Sequence, residues 1–190
     1  MAKALQTQGR WTVDDYLGFE DQGGVRYEFI DGLVYDMVGA TDRHNIIALN
    51  LATLLINRVP DRCQVFAKSM RLRLQADQAT SFYYPDGMVS CDPTDRAPLW
   101  REKPVFLAEV LSPSTERTDR HEKFAAYTSI TSLQEYLIIL QDIPQVEMYR
   151  RHTGWKPELV YLDQTVLLES VDLAVQVQQL YRRTDLARAE

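Results

Sequence analysis

At 190 residues, with 45% hydrophobic and 25% charged side chains, the chain has the size and composition of one globular domain, 1–190, with a full-sized core. No apolar run approaches the roughly 20 residues needed to span a bilayer, and MAKALQTQGRW at the start is unfit for a signal peptide, so a cytoplasmic protein without membrane contact is expected. The net charge of −6 has the wrong sign for a protein that coats nucleic acid, so any such contact must be local or helped by metal.

Thr12 with Asp15 makes a capping box that opens a short helix through Leu17, and Gly23-Gly24 supplies the turn after it. Val25 to Ile30 and Leu33 to Val38 flank Asp31-Gly32, a strong two-residue hairpin signal. Ile47, Leu51, Leu54 and Leu55 recur at helical spacing and Pro60 marks a stop, which predicts a helix over Asp42 to Arg58. Strands are then predicted over Gln64 to Leu74, Phe82 to Cys91 and Val105 to Leu111, the last apolar enough for a central strand buried on both faces. Asp119 with Glu122 could cap a helix running to about Ile130. Strands Glu135 to Leu140, Val146 to Arg150 and Trp155 to Tyr161 follow, with a short amphipathic end around Leu173 to Tyr181. The order is that of an α/β (α+β) domain without repeats, in which an N-terminal helix and β-hairpin precede a sheet flanked by helices. Cys63 and Cys91 are too few for a disulfide framework and lack zinc-site spacing, so both are read as free thiols.

Glu109 interrupts an otherwise apolar run, Val105 to Leu111, where an unpaired carboxylate would cost several kcal/mol. A metal or a lysine beside it is implied; a neighbouring arginine at the strand end is the competing explanation. Asp86 stands in the preceding strand although aspartate is a poor strand former. Two carboxylates on neighbouring strands can hold one hard cation such as Mg²⁺, yet Pro85-Asp86-Gly87 is also a common turn signature. Lys123 shares a helical stripe with Ala126, Tyr127 and Ile130, from which its ammonium could reach the carboxylates or simply snorkel at the core edge. Glu28 shares a hairpin face with Ile30, and His44 shares a helix face with Ile47, Ala48 and Leu51, so both look inward as supporting polar groups. For His44 a structural role competes with catalysis or ligation. Lys68, flanked by Phe66, Met70 and Leu72, rivals Lys123 for the lysine role.

The string Pro85-Asp86, then Glu109-Val110-Leu111-Ser112-Pro113-Ser114-Thr115, then Asp119, Lys123 and Tyr127, then Glu135-Tyr136, resembles the Uma-two family of restriction-endonuclease-like proteins. Arg26-Tyr27-Glu28-Phe29-Ile30-Asp31-Gly32 and His44 fit its pattern too, so the likeness runs from about Trp11 to Tyr181. The resemblance implies a PD-(D/E)XK core, a mixed sheet flanked by helices, and Mg²⁺- or Mn²⁺-dependent phosphodiester hydrolysis. It implies Asp86 and Glu109 as metal ligands, with Glu28 as a further acidic group. Where the wider superfamily has a lysine two residues after the glutamate, this chain has Leu111, and the family's lysine corresponds to Lys123 on the next helix.

The joint pattern favours an endonuclease acting on nucleic acid, DNA in the first place, with Asp86, Glu109 and Lys123 at its centre and a homodimer expected for cutting both strands. Phosphate contacts are sought among Lys68, Arg71 and Arg73 or Arg117 and Arg120. Two other readings stay open: a catalytically silent nuclease-fold module serving as a binding or assembly scaffold, and hydrolysis of a smaller phosphorylated substrate.

Overall fold

The computed structural model describes residues 9–23, 26–37, 39–76, 79–112 and 118–187. Helix α1 (Val13–Gly23) opens on the expected box, the Asp15 N–H donating to Thr12 Oγ1 at 3.1 Å and the Thr12 N–H to Asp15 Oδ2 at 3.0 Å. Strands β1 (Tyr27–Ile30) and β2 (Leu33–Asp36) form the expected hairpin, with Asp31 and Gly32 at φ 45° and 82° as a two-residue turn of the primed type requires. Helix α2 (Asp42–Ile56) is capped by Thr41, whose hydroxyl accepts from the His44 N–H at 3.1 Å, and buries Ile47, Ala48, Leu51 and Leu55.

Two segments expected as single strands are each broken in two. Gln64 to Leu74 forms β3 (Gln64–Phe66) and β4 (Arg71–Ala76), separated by a turn in which Lys68 takes a left-handed φ of 43°. Phe82 to Cys91 lies in β5 (Ala79–Tyr83) and β6 (Gly87–Ser90), divided at Tyr84-Pro85-Asp86, where proline has no N–H to give to a ladder. The short β7 (Trp100–Arg101) and long β8 (Pro104–Leu111) follow. A π-helical turn over Thr118–Lys123 then runs into α3 (Phe124–Thr128). Strands β9 (Glu135–Leu140), β10 (Gln145–Arg150) and β11 (Pro157–Tyr161) come close to expectation. The amphipathic end expected around Leu173 to Tyr181 is divided between strand and helix. A hairpin of β12 (Thr165–Leu168) with β13 (Leu173–Gln176) passes into α4 (Val177–Leu180), one face of which is buried.

The strands assemble as a six-stranded sheet, β11-β10-β9-β8-β6-β3, and a five-stranded sheet, β2-β1-β5-β4-β7. Among the described residues only β8 with β9, and β4 with β7, pair in parallel, so both sheets are mixed. Alternation along β8 divides the core. Phe106, Ala108 and Val110 pack with α2, the β12–β13 hairpin and α4, whereas Leu107 and Leu111 pack with Leu72, Tyr83, Tyr127 and Tyr136 on the other face. A third cluster, Tyr16, Phe29, Val34 and Phe82, seats α1 on the hairpin.

The expectation of free thiols is corrected: Cys63 and Cys91 are joined as a disulfide. The reason is register. Gln64 pairs with Ser90 across β3 and β6, so the residues one step outward, Cys63 and Cys91, face each other, which spacing in sequence could not reveal.

At Gly87 the sheet packs tightly against α2. A Cβ there would lie 3.0 Å from Leu51 Cδ2 and 3.3 Å from the Ala108 Cβ. Gly87→Ala should therefore destabilise the fold by roughly 1–3 kcal/mol through overpacking, read as a lower urea midpoint at unchanged slope. An unchanged midpoint would mean that α2 moves away at no cost.

Candidate active site

The site forms where the chain leaves one sheet for the other. Gly87 pairs with Ala108; Asp86 stands one residue before β6, and Glu109 one residue further along β8. Asp86 is held by backbone as well as side chains: its Oδ2 accepts the Val110 N–H at 2.8 Å and lies 2.9 Å from His44 Nε2. Its Oδ1 lies 3.8 Å from the Lys68 ammonium, which stands 3.4 Å from His44 Nδ1. Burial, reinforced by Lys68, pushes the His44 imidazole down to about 4, so it is neutral near pH 7. Its partners then assign the tautomer: Nε2–H donates to Asp86, and Nδ1 turns its lone pair to the lysine.

Glu109 lies on the opposite face of β8 from α2. Its Oε1 accepts from Lys123 Nζ at 3.2 Å and from the Tyr127 hydroxyl at 2.8 Å. The lysine also meets Glu28 Oε1 at 2.9 Å, forming an acid–ammonium–acid bridge among side chains of which none is more than 11% exposed. Burial and then the Glu109 charge push the Tyr127 phenol well above its ordinary value, so it stays a proton donor to that carboxylate. Lys123 ends the π-helical turn, an arrangement that often marks functional positions, and one turn on Tyr127 reaches the same oxygen. Glu28 is set by β1 and lies 3.5 Å from the Tyr84 N–H at the inter-sheet crossing.

The expected polar residues form two clusters, Asp86 with His44 and Lys68, and Glu109 with Lys123 and Glu28, which adjoin where Asp86 accepts the N–H of Val110, the residue after Glu109. The anticipated rivalry of the two lysines becomes a division: Lys123 serves Glu109 and Glu28, Lys68 serves Asp86 and His44. The basic residues sought as phosphate contacts are mostly committed elsewhere. Arg71 pairs with Glu20, Arg73 with Glu102, and Arg120 grips Glu147 through two bonds of 2.6 and 2.9 Å. Arg117 lies outside the described residues. The Glu20–Arg71 pair, joined by the Tyr84 hydroxyl at 2.7 Å from Glu20, had no sequence signal because its members are 51 and 64 residues apart.

The architecture is a mixed-sheet α+β fold in which buried carboxylates stand beside lysines. A crystal structure of a "putative nuclease belonging to DUF820" from Anabaena variabilis shares that fold with a TM-score of 0.70 and 20% identity, the match covering 90% of this chain and 97% of that one. The chain belongs to the Uma2 family, described as "Putative restriction endonuclease", whose pattern matches residues 13–182. It is also similar to two uncharacterized proteins of Synechocystis sp. One, slr1290, is 30% identical over 89% of this chain and 90% of its own length. The other, sll1609, is 37% identical over 74% of this chain and 80% of its own. Among the described residues, no helix is long and apolar enough to cross a membrane.

Proposed function

We propose that the protein is a metal-dependent endonuclease that hydrolyses phosphodiester bonds of nucleic acid, DNA first among them, at Asp86 and Glu109. The observation that carries this reading is the placement of two buried carboxylates beside one strand, Asp86 bonded to the Val110 N–H next to Glu109, each with a lysine near it. Among the described residues no three His, Cys, Asp or Glu side chains gather to hold a metal by themselves. Magnesium does not need three: it commonly takes one or two carboxylates and completes its shell with water and substrate phosphate. Hard oxygen donors in a place that already attracts ammonium groups fit such an ion, and Asp86 and Glu109 would hold it, with Glu28 as an acidic neighbour.

When bound, the cation would polarise a phosphate oxygen and favour ionisation of the attacking water. The protein's own contribution is to fix the carboxylates. His44 and the Val110 N–H orient Asp86, while Lys123 and Tyr127 orient Glu109 and Glu28 balances the lysine. The water oxygen bonds to phosphorus, the ester P–O bond opens, and the leaving oxygen takes up a proton.

The test is incubation of supercoiled plasmid and single-stranded DNA with the protein in Mg²⁺, in Mn²⁺ and in EDTA. Nicked or shortened products should form with metal and vanish with EDTA, and Asp86→Asn should leave less than about a hundredth of the rate. Cutting that survives EDTA, or a wild type inert towards both substrates in both metals, would remove this reading and favour a scaffold built on the same fold.

A further inference from the structure

We propose that Lys68, rather than Lys123, is the cation that meets the scissile phosphate, and that Arg26 beside it holds the next phosphate of the strand. The inference rests on the nuclease reading and adds to it the surface along which the polyanion lies.

Lys123 is poorly placed for that task. Its ammonium is spent on Glu28 at 2.9 Å and Glu109 at 3.2 Å, and its side chain is 8% exposed, so a phosphate could reach it only by displacing a carboxylate. Lys68 differs on each count. Its side chain is 26% exposed, and its Nζ stands 3.8 Å from Asp86 Oδ1, beyond the 2.7–2.9 Å typical of a closed charge-assisted bond. With His44 Nδ1 at 3.4 Å and Asp86 Oδ1 at 3.8 Å, the three-donor ammonium keeps a donor for a phosphate oxygen arriving from its exposed side.

The backbone shows that this placement is imposed. Lys68 is a non-glycine residue at φ 43°, a conformation kept where surrounding structure enforces it. The enforcing contacts are the Lys68 N–H donating to the Pro85 carbonyl at 3.2 Å and the Arg26 guanidinium donating to the Lys68 carbonyl at 3.2 Å. Pro85 precedes Asp86, so one turn fixes acid and lysine together. Arg26 is exposed, and its hydrogen-bond partner is a neutral carbonyl, unlike Arg71, Arg73 and Arg120, which are neutralised by Glu20, Glu102 and Glu147. A cavity of about 370 Å³ opens next to Lys68, lined by Arg26, Ser69, Met70 and Tyr84 together with the Glu20–Arg71 pair, whose charges offset each other. Its size suits one nucleotide of a strand whose phosphates run from Lys68 to Arg26.

Binding tests this without requiring catalysis. A fluorescein-labelled single-stranded DNA oligonucleotide is titrated in EDTA over a range of salt with the wild type, Lys68→Asn, Lys68→Arg, Arg26→Ala and the remote surface variant Lys156→Ala. Asparagine tolerates the left-handed backbone, so Lys68→Asn removes the charge with the turn kept. Lys68→Asn and Arg26→Ala should each weaken binding by roughly tenfold and reduce the salt slope by about 1, with Lys68→Arg and Lys156→Ala close to wild type. In single-turnover cleavage with Mg²⁺, Lys68→Asn should also lose at least about a hundredfold in rate. Wild-type affinity and slope in Lys68→Asn, or the same loss in Lys156→Ala, would overturn the inference. If the wild type cuts and Lys68→Asn cuts equally, Lys68 loses its role and the nuclease reading stands. If binding depends on Lys68 but nothing is cut, the nuclease reading falls and the polyanion surface stands; a wild type that binds no DNA in EDTA overturns the polyanion surface, while metal-dependent cutting by that same protein would leave the nuclease reading standing.

Discussion

Glu109→Gln is expected to reduce metal-dependent cleavage by more than about a hundredfold while leaving a folded protein. Glutamine keeps the shape of the side chain and a carbonyl oxygen for Lys123 and Tyr127, which donate to Glu109 Oε1 at 3.2 and 2.8 Å. What it removes is the negative charge, and with it one of the two carboxylates proposed to hold the metal. Glu109→Ala removes shape as well as charge and takes away one of the acids that Lys123 bridges at the 6% exposure of that lysine. Breaking a buried pair from one side costs about 3–5 kcal/mol; because Glu28 still holds the ammonium, the lower end of that range applies. A melting temperature lowered by roughly 6–12 °C should follow for the alanine variant and much less for glutamine. Circular dichroism melts beside single-turnover cleavage therefore separate charge from packing. Cleavage by Glu109→Gln at the wild-type rate would move the chemistry away from this carboxylate.

The legible parts of the fold were those whose cause is local. Asp31-Gly32 could be read as a hairpin because a primed turn demands positive φ at both positions, and both have it. Glu109 announced itself because one charge inside an apolar strand must be compensated, and the compensating Lys123 lay on the inward stripe of the next helix. Features set by tertiary geometry were illegible. The break at Lys68 follows from contacts with Pro85 and Arg26, and lysine carries no signal for a left-handed backbone. The Cys63–Cys91 bond follows from the register of β3 on β6. The commitments of Arg71, Arg73 and Arg120 depend on acids brought together by the fold, and they remove most of the basic residues that the bare sequence offered as phosphate contacts.

Glu135→Ala should lower the melting temperature by roughly 10 °C, one of the largest losses available outside the apolar core. Glu135 opens β9 at 1% exposure, and its carboxylate is saturated with donors. Oε1 accepts from Arg150 Nε at 3.0 Å and from the Glu169 N–H at 3.0 Å, and Oε2 accepts from the Ser170 N–H at 2.8 Å and its hydroxyl at 2.6 Å. Arg150, its cross-strand partner on β10, also donates to the Leu167 carbonyl at 2.6 Å and meets Glu158 on β11. One carboxylate thus ties the six-stranded sheet to the β12–β13 hairpin. Alanine leaves two backbone N–H groups and part of a guanidinium without that acceptor, a cost of about 3–5 kcal/mol. Paired Glu135→Met and Arg150→Met changes should cost less than the two single changes added together, since removing both partners avoids stranding either charge. Urea unfolding of the two single variants and the double variant measures that coupling; simple additivity would show that the two side chains act independently. Cleavage well below the lowered melting temperature should persist in Glu135→Ala, because its contacts run to the hairpin rather than to Asp86 or Glu109. Loss of cleavage in a fully folded Glu135→Ala would instead make this residue part of the site, and the Glu135-Tyr136 pair within the family's pattern would then reflect chemistry rather than the anchoring of a hairpin.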